Sequence, residues 1–523
     1  MSRTRHLLSA LGLCGGLLLL AGNSISYYEE ALPTTMNPLF ARGMVDHRTH
    51  ELVFDRLFFR SAITNELKSN LVSKFQKLEE GKKLKIYLKE GVKWHDGKSF
   101  GPKDVCFTVD AMLNPKTPSP IAKDYRESIV GCEAFGKENA AVIEFVKSYH
   151  NLRERVSFSI LPAHAFDSTA VSPDLDFSSR PIGTGPMKAA KGRQAVTYTA
   201  FPNAHHNARI AGMQSQEGGD PFVQVRTLLT GGVQGLVAVA PAHRPQVRAS
   251  DDVALKSYDL RSWWFIALNT TKGALANQKV RQAIDLTLDR LQLRELAIGV
   301  KADDANSPCE FVSGPFVGSS PYYNRSVKPR PNADRAKAEA LMAEAGATKQ
   351  ADRWLYEGEA ITLRLGMNAP LDSEAKDLLN QVGNQLQEGG FDRQVYKVNN
   401  DDWTQRAITG RLTEEFDALI GKWSFGVVEE VNPMFHTRGN GRGSLNIFNY
   451  SDPTVDDLLG RYDSARTDTE AQDAYHELHR YLAQDLPYIF LWKLDTKSAW
   501  RNEVRNNTIS PYFYFTEFDG WRL

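Results

Sequence analysis

Three groupings of residues in this sequence carry side chains that could do chemistry. Trp94-His95-Asp96 sets an imidazole beside a carboxylate, the combination that general acid–base catalysis draws on. The next residue, Gly97, completes an Asp-Gly hairpin-turn dipeptide, so the group reads as a structural turn. Gly183-Thr184-Gly185 suggests a phosphate loop, but the Lys-Ser/Thr ending of a P-loop is missing and Pro186 removes a backbone N–H donor. A tight bend between domains is expected there instead. His476 and His479 stand three apart, which fails the HExxH zinc spacing, and both are expected on a helix surface. There is no GxSxG nucleophile elbow. Nor is there a CxxC or Cys/His zinc spacing. The residues therefore assign no catalytic group, no metal ligand and no cofactor.

The chain that must position any site has 523 residues, too many for one core, so two or three packed units are expected. Hydrophobic residues make up 42% and charged residues 24%, an ordinary globular balance. Lys+Arg is 63 and Asp+Glu is 63, which gives no electrostatic reason to expect nucleic acid or an anionic lipid surface as partner. The first residues differ from the rest. Arg3, Arg5 and His6 precede an apolar run from Leu7 to Ala21, then Gly22, Asn23 and Ser24. That order reads as a secretory leader over 1–24, with an uncleaved anchor as the alternative. Cys14 follows Leu13 inside the run, where a lipoprotein would carry a small residue before a terminal Cys, so lipid anchoring is not expected. Export places the mature chain in an oxidising compartment with Cys106, Cys132 and Cys309. At most one bridge can form; Cys106 and Cys132 are the closer pair, and three reduced thiols are the alternative.

Helix and strand signals alternate along the chain, so the class is α/β. Leu84 to Leu88 and Ala141 to Phe145 read as strands. Pro102 to Met112 reads as a helix opened by Pro. Trp263 to Asn269 is a short apolar strand, and Gln278 to Arg294 reads as one amphipathic helix. Asn332 to Gly346, Ala375 to Leu386 and Thr469 to Leu486 are further helices.

Five of these segments, taken in order, resemble the family 5 extracellular solute-binding proteins. They are KEGVKWHDGKSFGPKDVCFTVDAM from Lys89, PIGTGPMK from Pro181, FIALNT from Phe265 with KVRQAIDLTLDR from Lys279, NADRAKAEALMAEAG from Asn332, and FDALIGKW from Phe416 with NYSDPTVDDLL ending at Leu459. The resemblance covers nearly the whole mature chain. It implies a two-lobed periplasmic-binding-protein fold, class II-like, with an extra inserted domain. Residues 25–60, 180–262 and 495–523 would form lobe 1, 61–179 the inserted domain, and 263–494 lobe 2, with the hinge near 262 and 495. It further implies a periplasmic monomer that captures a peptide or peptide-like solute by hinge closure and passes it to an ABC permease in the inner membrane. Neither catalysis nor nucleic-acid binding belongs to that reading. The rivals are the same fold holding a non-peptide solute (sugar, modified peptide or metal chelate), a periplasmic chaperone or sensor, and a secreted hydrolase.

The resemblance also points to site residues. The family carries aromatic residues at two segments that match Trp263 and Trp264, and Trp423 and Phe425, as apolar cleft walls; aromatic rings bury much area for few rotamers. Met44 to Asp46 matches a segment that can pair, strand-like, with an extended ligand. Asn446 stands where the family has a polar residue that often faces the cleft. After Trp423 the chain departs from the family. Peptide receptors there read close to WxADYxDP, with an Asp that pairs with the peptide's α-ammonium. Here the text is WSFGVVEEVNP, three residues longer and without that Asp. Glu429 and Glu430 are the nearest acids. One of them could pair with an ammonium from a reshaped loop, the ligand could lack a free amino terminus, or both could be solvated. The sequence leaves ligand length, charge and chemistry open.

Overall fold

A computed structural model describes residues 23–523 except 42, 62, 65, 204, 259–260, 300–308, 374, 376, 426–427, 440–444, 495 and 510–513. The leader segment thus lies outside the described residues, apart from Asn23 and Ser24. The first strand, Ser24–Glu29, opens one residue inside the expected leader, because Ser24 is already in register with Gly212.

The protein has two lobes built on three main sheets. The first sheet has seven strands in the order 253–258, 496–501, 235–236, 24–29, 212–217, 195–200, 187–191. Its first strand alternates between half-buried and buried positions, sending Ile25, Tyr27 and Glu29 inward. Glu29 is a charge in the core, and Arg48 neutralises it: Nη2 donates to Oε2 at 2.7 Å, and each side chain is 2% exposed. The second sheet is antiparallel, with strands 72–78, 83–88, 140–145 and 129–135. The helix Pro102–Leu113 covers it, and a Cys106–Cys132 disulfide joins that helix to the edge strand. The third sheet runs 392–398, 362–368, 418–424, 262–268, 488–490.

The strand Ser262–Leu268 is central to that third sheet, and all seven of its residues are buried. Side chains alternate across a strand, so Trp264, Ile266 and Leu268 enter the core on one face. Trp263, Phe265 and Ala267 enter a second, aromatic core on the other. The chain passes between the first and third sheets twice, once between Tyr258 and Ser262 and once between Phe490 and Thr496, the second time by way of the short strand Trp492–Leu494.

Two elements differ from the sequence reading. The amphipathic stretch 278–294 is two helices, Gln278–Thr287 and Arg290–Ile298. Asp289 breaks it by capping the second helix, its carboxylate accepting from the Gln292 N–H at 2.9 Å. Met44 to Asp46 is the first turn of the helix Met44–Val53 rather than an extended segment. Among the described residues no helix is long and apolar enough to cross a membrane.

Candidate functional site

The site is built around the first crossing between the lobes. Arg261 precedes the central strand and holds a left-handed backbone, φ 44°. A non-glycine residue pays for that conformation and keeps it only where the surroundings fix it. Two contacts do so here. The Arg261 carbonyl accepts from the Phe425 N–H at 3.3 Å, and its guanidinium ion-pairs with Glu429, both side chains being about 5% exposed or less. The loop after Trp423 is therefore anchored back onto the first crossing between the lobes. One residue later, Glu430 reaches the other way and ion-pairs with Arg155 of the inserted domain. Arg155 also lies over the Tyr149 ring at 3.8 Å. Lys147–Asp463 at 3.0 Å and an edge-to-face contact of His150 with Tyr462 at 5.3 Å bring the same two units together. The lobes are in contact in this conformation.

Beside these contacts lies a cavity of ≈ 990 Å³. Arg60, Glu66, Leu67, Asn151, Arg153 and Glu154 line one side, the loop 319–326 with Asp468, Gln472 and His476 the other, and Arg261 and Glu429 the end. Both signs of charge face it: Arg60, Arg153 and Arg325 against Glu66, Glu154 and Asp468. Arg60 and Glu154 pair at 3.4 Å, and burial pushes the Glu154 carboxyl above its ordinary range. Tyr322 stands edge-on to the stacked rings of Tyr462 and Tyr475, and burial raises its hydroxyl too. The lining loop is held from below by the helix Asp468–Asp485. Gln472 Nε2 donates to the Pro321 carbonyl at 2.8 Å, and His476 Nε2 lies 3.0 Å from the same oxygen. Such a cavity can bind a polar solute of mixed charge by substituting fixed ionic partners for water.

The family model for bacterial extracellular solute-binding proteins, family 5, matches residues 66–444. The chain belongs to this family. Among curated relatives, the oligopeptide-binding protein AppA of Bacillus subtilis is 24% identical over 94% of this chain and 90% of its own. The solved structure of AppA with a nonapeptide matches with a TM-score of 0.73 at 20% identity, covering 96% of this chain and 98% of that one. NikZ of Campylobacter jejuni, solved with Ni(L-His), matches with a TM-score of 0.76 at 19% identity, covering 96% and 99%.

In this family 5 chain the residues singled out from sequence fall into three groups. Trp423 is half-buried at the aromatic core, in register with Trp263 on the neighbouring strand, and 6.3 Å from the Phe425 ring. The indole N–H groups of Trp263 and Trp423 are both buried without a partner among the described residues. Trp264 points the opposite way into the other core and is 0% exposed, so it packs the lobe instead of walling the cleft. Asn446 is likewise internal, at 1% exposed. Its amide clamps the Tyr450 backbone through Nδ2 to the carbonyl and Oδ1 from the N–H, both at 2.8 Å. Asp46 accepts from the Thr34 N–H at 2.6 Å and its hydroxyl at 2.7 Å, and Met44 lies in the same helical turn, which leaves no strand edge there for a ligand. Glu429 and Glu430 are neither solvated nor idle: each is engaged by an arginine.

The groups with catalytic appearance are structural. His95 joins the Asp96-Gly97 turn to the bend at 183–185: its Nδ1 accepts from the Gly183 N–H at 3.2 Å, and its Nε2 lies 3.0 Å from the Gly185 carbonyl. Burial pushes it down to about 4, so it is neutral. A Cβ on Gly183 would sit 1.7 Å from the Val53 carbonyl oxygen, which is why the bend needs glycine. His479 is fully buried rather than on a helix surface. It lies on the inner face of its helix with Ala471, Tyr475 and Leu482, and its Nε2 meets the Ser313 hydroxyl at 2.9 Å. Sequence reasoning missed Arg60, Arg153, Glu154, Arg261 and Tyr322. The one available signal was the Gly/Ser/Pro-rich loop 314–321 running into Tyr322-Tyr323, a loop composition that favours a surface site.

Proposed function

We propose that this chain is the exported receptor of an ABC-type importer, and that it captures a peptide-like solute between its lobes and releases it unchanged to a membrane permease. The observation that carries this reading is the ≈ 990 Å³ cleft, lined from both sides by opposed arginines and carboxylates. A peptide brings an ammonium, a carboxylate and a string of amide groups, which such a lining can pair one by one. AppA, the relative solved with a nonapeptide, supports the same solute class. Trp263 and Phe425 lie in the aromatic core behind the cleft, and the half-buried Trp423 packed against them is the one aromatic of this group left to offer a solute apolar area. Glu429 is the group placed to take an ammonium there, exchanging its Arg261 partner for the solute. The protein acts as a monomer, does no chemistry on its cargo and is delivered beyond the inner membrane by its leader.

Closure is the working step. Moving an open–closed equilibrium from 1:99 to 99:1 takes about 5.5 kcal/mol of differential binding, which a few charge-assisted hydrogen bonds and an aromatic wall can supply. A second reading rests on the missing ammonium-pairing Asp and on NikZ, a neighbour solved with Ni(L-His): the cargo is a metal chelate of an amino acid. Titrating di- to nonapeptides and, separately, amino-acid metal chelates while following the melting temperature separates the two. Ligand at a hundred times its Kd adds about 2.7 kcal/mol to native stability. A rise with peptides alone supports the first reading, a rise with chelates alone the second, and turnover of a peptide would overturn both.

A further inference from the structure

Away from the cleft, the first lobe carries a second cluster that transport does not use. Asp55 follows the helix Met44–Val53, and the adjacent residues His205 and His206 approach its carboxylate from a short loop. His205 Nε2 is 2.8 Å from Oδ2 and His206 Nε2 is 2.9 Å from Oδ1; all three side chains are 5% exposed. The three candidate ligand atoms lie within 4.8 Å of one another. On the far side of the His206 ring, Nδ1 is 2.6 Å from Asp519 Oδ2. None of these residues lines the cleft.

We infer that Asp55, His205 and His206 form a binding site for a divalent transition metal of the zinc class, with Asp519 positioning His206. Two features favour this over a purely structural hydrogen-bond network. The donor set is two imidazoles and a carboxylate, which suits zinc, nickel or iron better than magnesium or calcium. Asp519 on the outer nitrogen of His206 completes the carboxylate–histidine–metal arrangement that fixes ring orientation in metal sites.

The geometry also permits loading. The imidazoles meet different oxygens of Asp55 and the three candidate ligand atoms lie within 4.8 Å of one another, so loading draws them to the roughly 3.3 Å spacing of a tetrahedral zinc site by small side-chain shifts. On metal binding, each Nε2 exchanges its contact with the carboxylate for the metal. Asp55 is held in place by two neutral donors, the Thr184 hydroxyl at 2.8 Å and Asn70 Nδ2 at 3.0 Å. Solvent reaches the imidazoles from an open basin of ≈ 640 Å³ lined by His205, His206, Arg209 and Asp519. Three protein ligands leave a coordination position there for water or an added ligand.

The test uses the full mature chain, stripped with EDTA and freed of it, titrated with Zn(II), Ni(II) or Co(II) salts in buffer without amino acids. The expected result is one metal per chain by native mass spectrometry, with cobalt showing the visible absorption of a low-coordinate N/O site. His205→Ala, which removes a ligand bound to only one partner, should weaken binding by at least about tenfold. Asp519→Asn, the positioning residue, should weaken it by about 10- to 100-fold while leaving the stoichiometry at one. Thermal melts of the metal-free variants confirm that they fold. Absence of one-to-one binding by the wild-type chain, or equal affinity in His205→Ala, overturns the site.

Discussion

At the scale of single residues, the side chains to test first are Glu429 and Glu430, which follow Trp423 and are each paired with a distant arginine. The sequence draws the eye to them as the nearest acids after Trp423, but it does not show their partners. Arg261 lies 168 residues from Glu429 and Arg155 lies 275 from Glu430, and no local pattern links residues so far apart. A buried ion pair is costly to break from one side, because the survivor is left as a lone charge in low dielectric. Arg261→Ala should therefore destabilise the protein by about 3–5 kcal/mol, read as a lowered denaturant midpoint. Arg261→Met with Glu429→Leu should recover most of that loss and still abolish solute binding. If the double variant binds solute normally, Glu429 has no part in capture. The indoles show the converse limit: composition marks Trp263 and Trp264 alike, and only the strand's twofold alternation sends them to opposite cores.

At the scale of elements, the helix Asp468–Asp485 holds the lining loop, and His479 is its internal fastener. Burial pushes this histidine down to about 3, and His95 at the 183–185 bend to about 4. Both are neutral in the fold and ordinary in the unfolded chain. Above pH 6.5 they contribute no pH dependence. As pH falls below that value the unfolded state takes up the proton first, and stability is lost down to about pH 3–4. Each group accounts for up to about 1.4 kcal/mol per pH unit in that window. His479→Gln should cost about 1–2 kcal/mol at pH 7 and flatten the acid slope by one proton, measured by denaturant unfolding at a series of pH values. Unchanged slope would mean that the ring is already solvated.

The strand Ser262–Leu268 and the helix Pro102–Leu113 were legible because apolar runs and an opening proline act locally. The break at Asp289 was not, since one Asp inside an amphipathic pattern is usually an exposed helix residue. His479 was misread for a similar reason: a histidine with acidic and basic neighbours on the chain says nothing of the loop that packs over it.

At the scale of the molecule, side-chain contacts between the two units among the described residues include Arg155–Glu430, Lys147–Asp463, Arg466–Glu80 at 3.8 Å and His150 edge-on to Tyr462, mostly ion pairs that water can replace. This suits a receptor that must open again. Glu430→Gln should remove ~1 kcal/mol from the closed form, a roughly fivefold fall in the closed-to-open ratio. Small-angle scattering of the solute-free protein would show this as a larger radius of gyration. Acid should act in the same direction. Burial at the contact pushes His150 down to about 4, so below pH 6.5 the open form gains the proton more readily and the lobes separate. A radius that stays constant from pH 7 to pH 5 would remove His150 from the closing contacts.

Capture by this protein requires a cargo held non-covalently between the lobes. Native mass spectrometry of protein purified gently from its own cell envelope addresses that directly. The expected spectrum shows the chain with an added mass of peptide chemistry, shed intact when the protein is unfolded and rebound when it refolds. A chain that carries nothing, gains no mass from any peptide offered, or returns its cargo cleaved would contradict it.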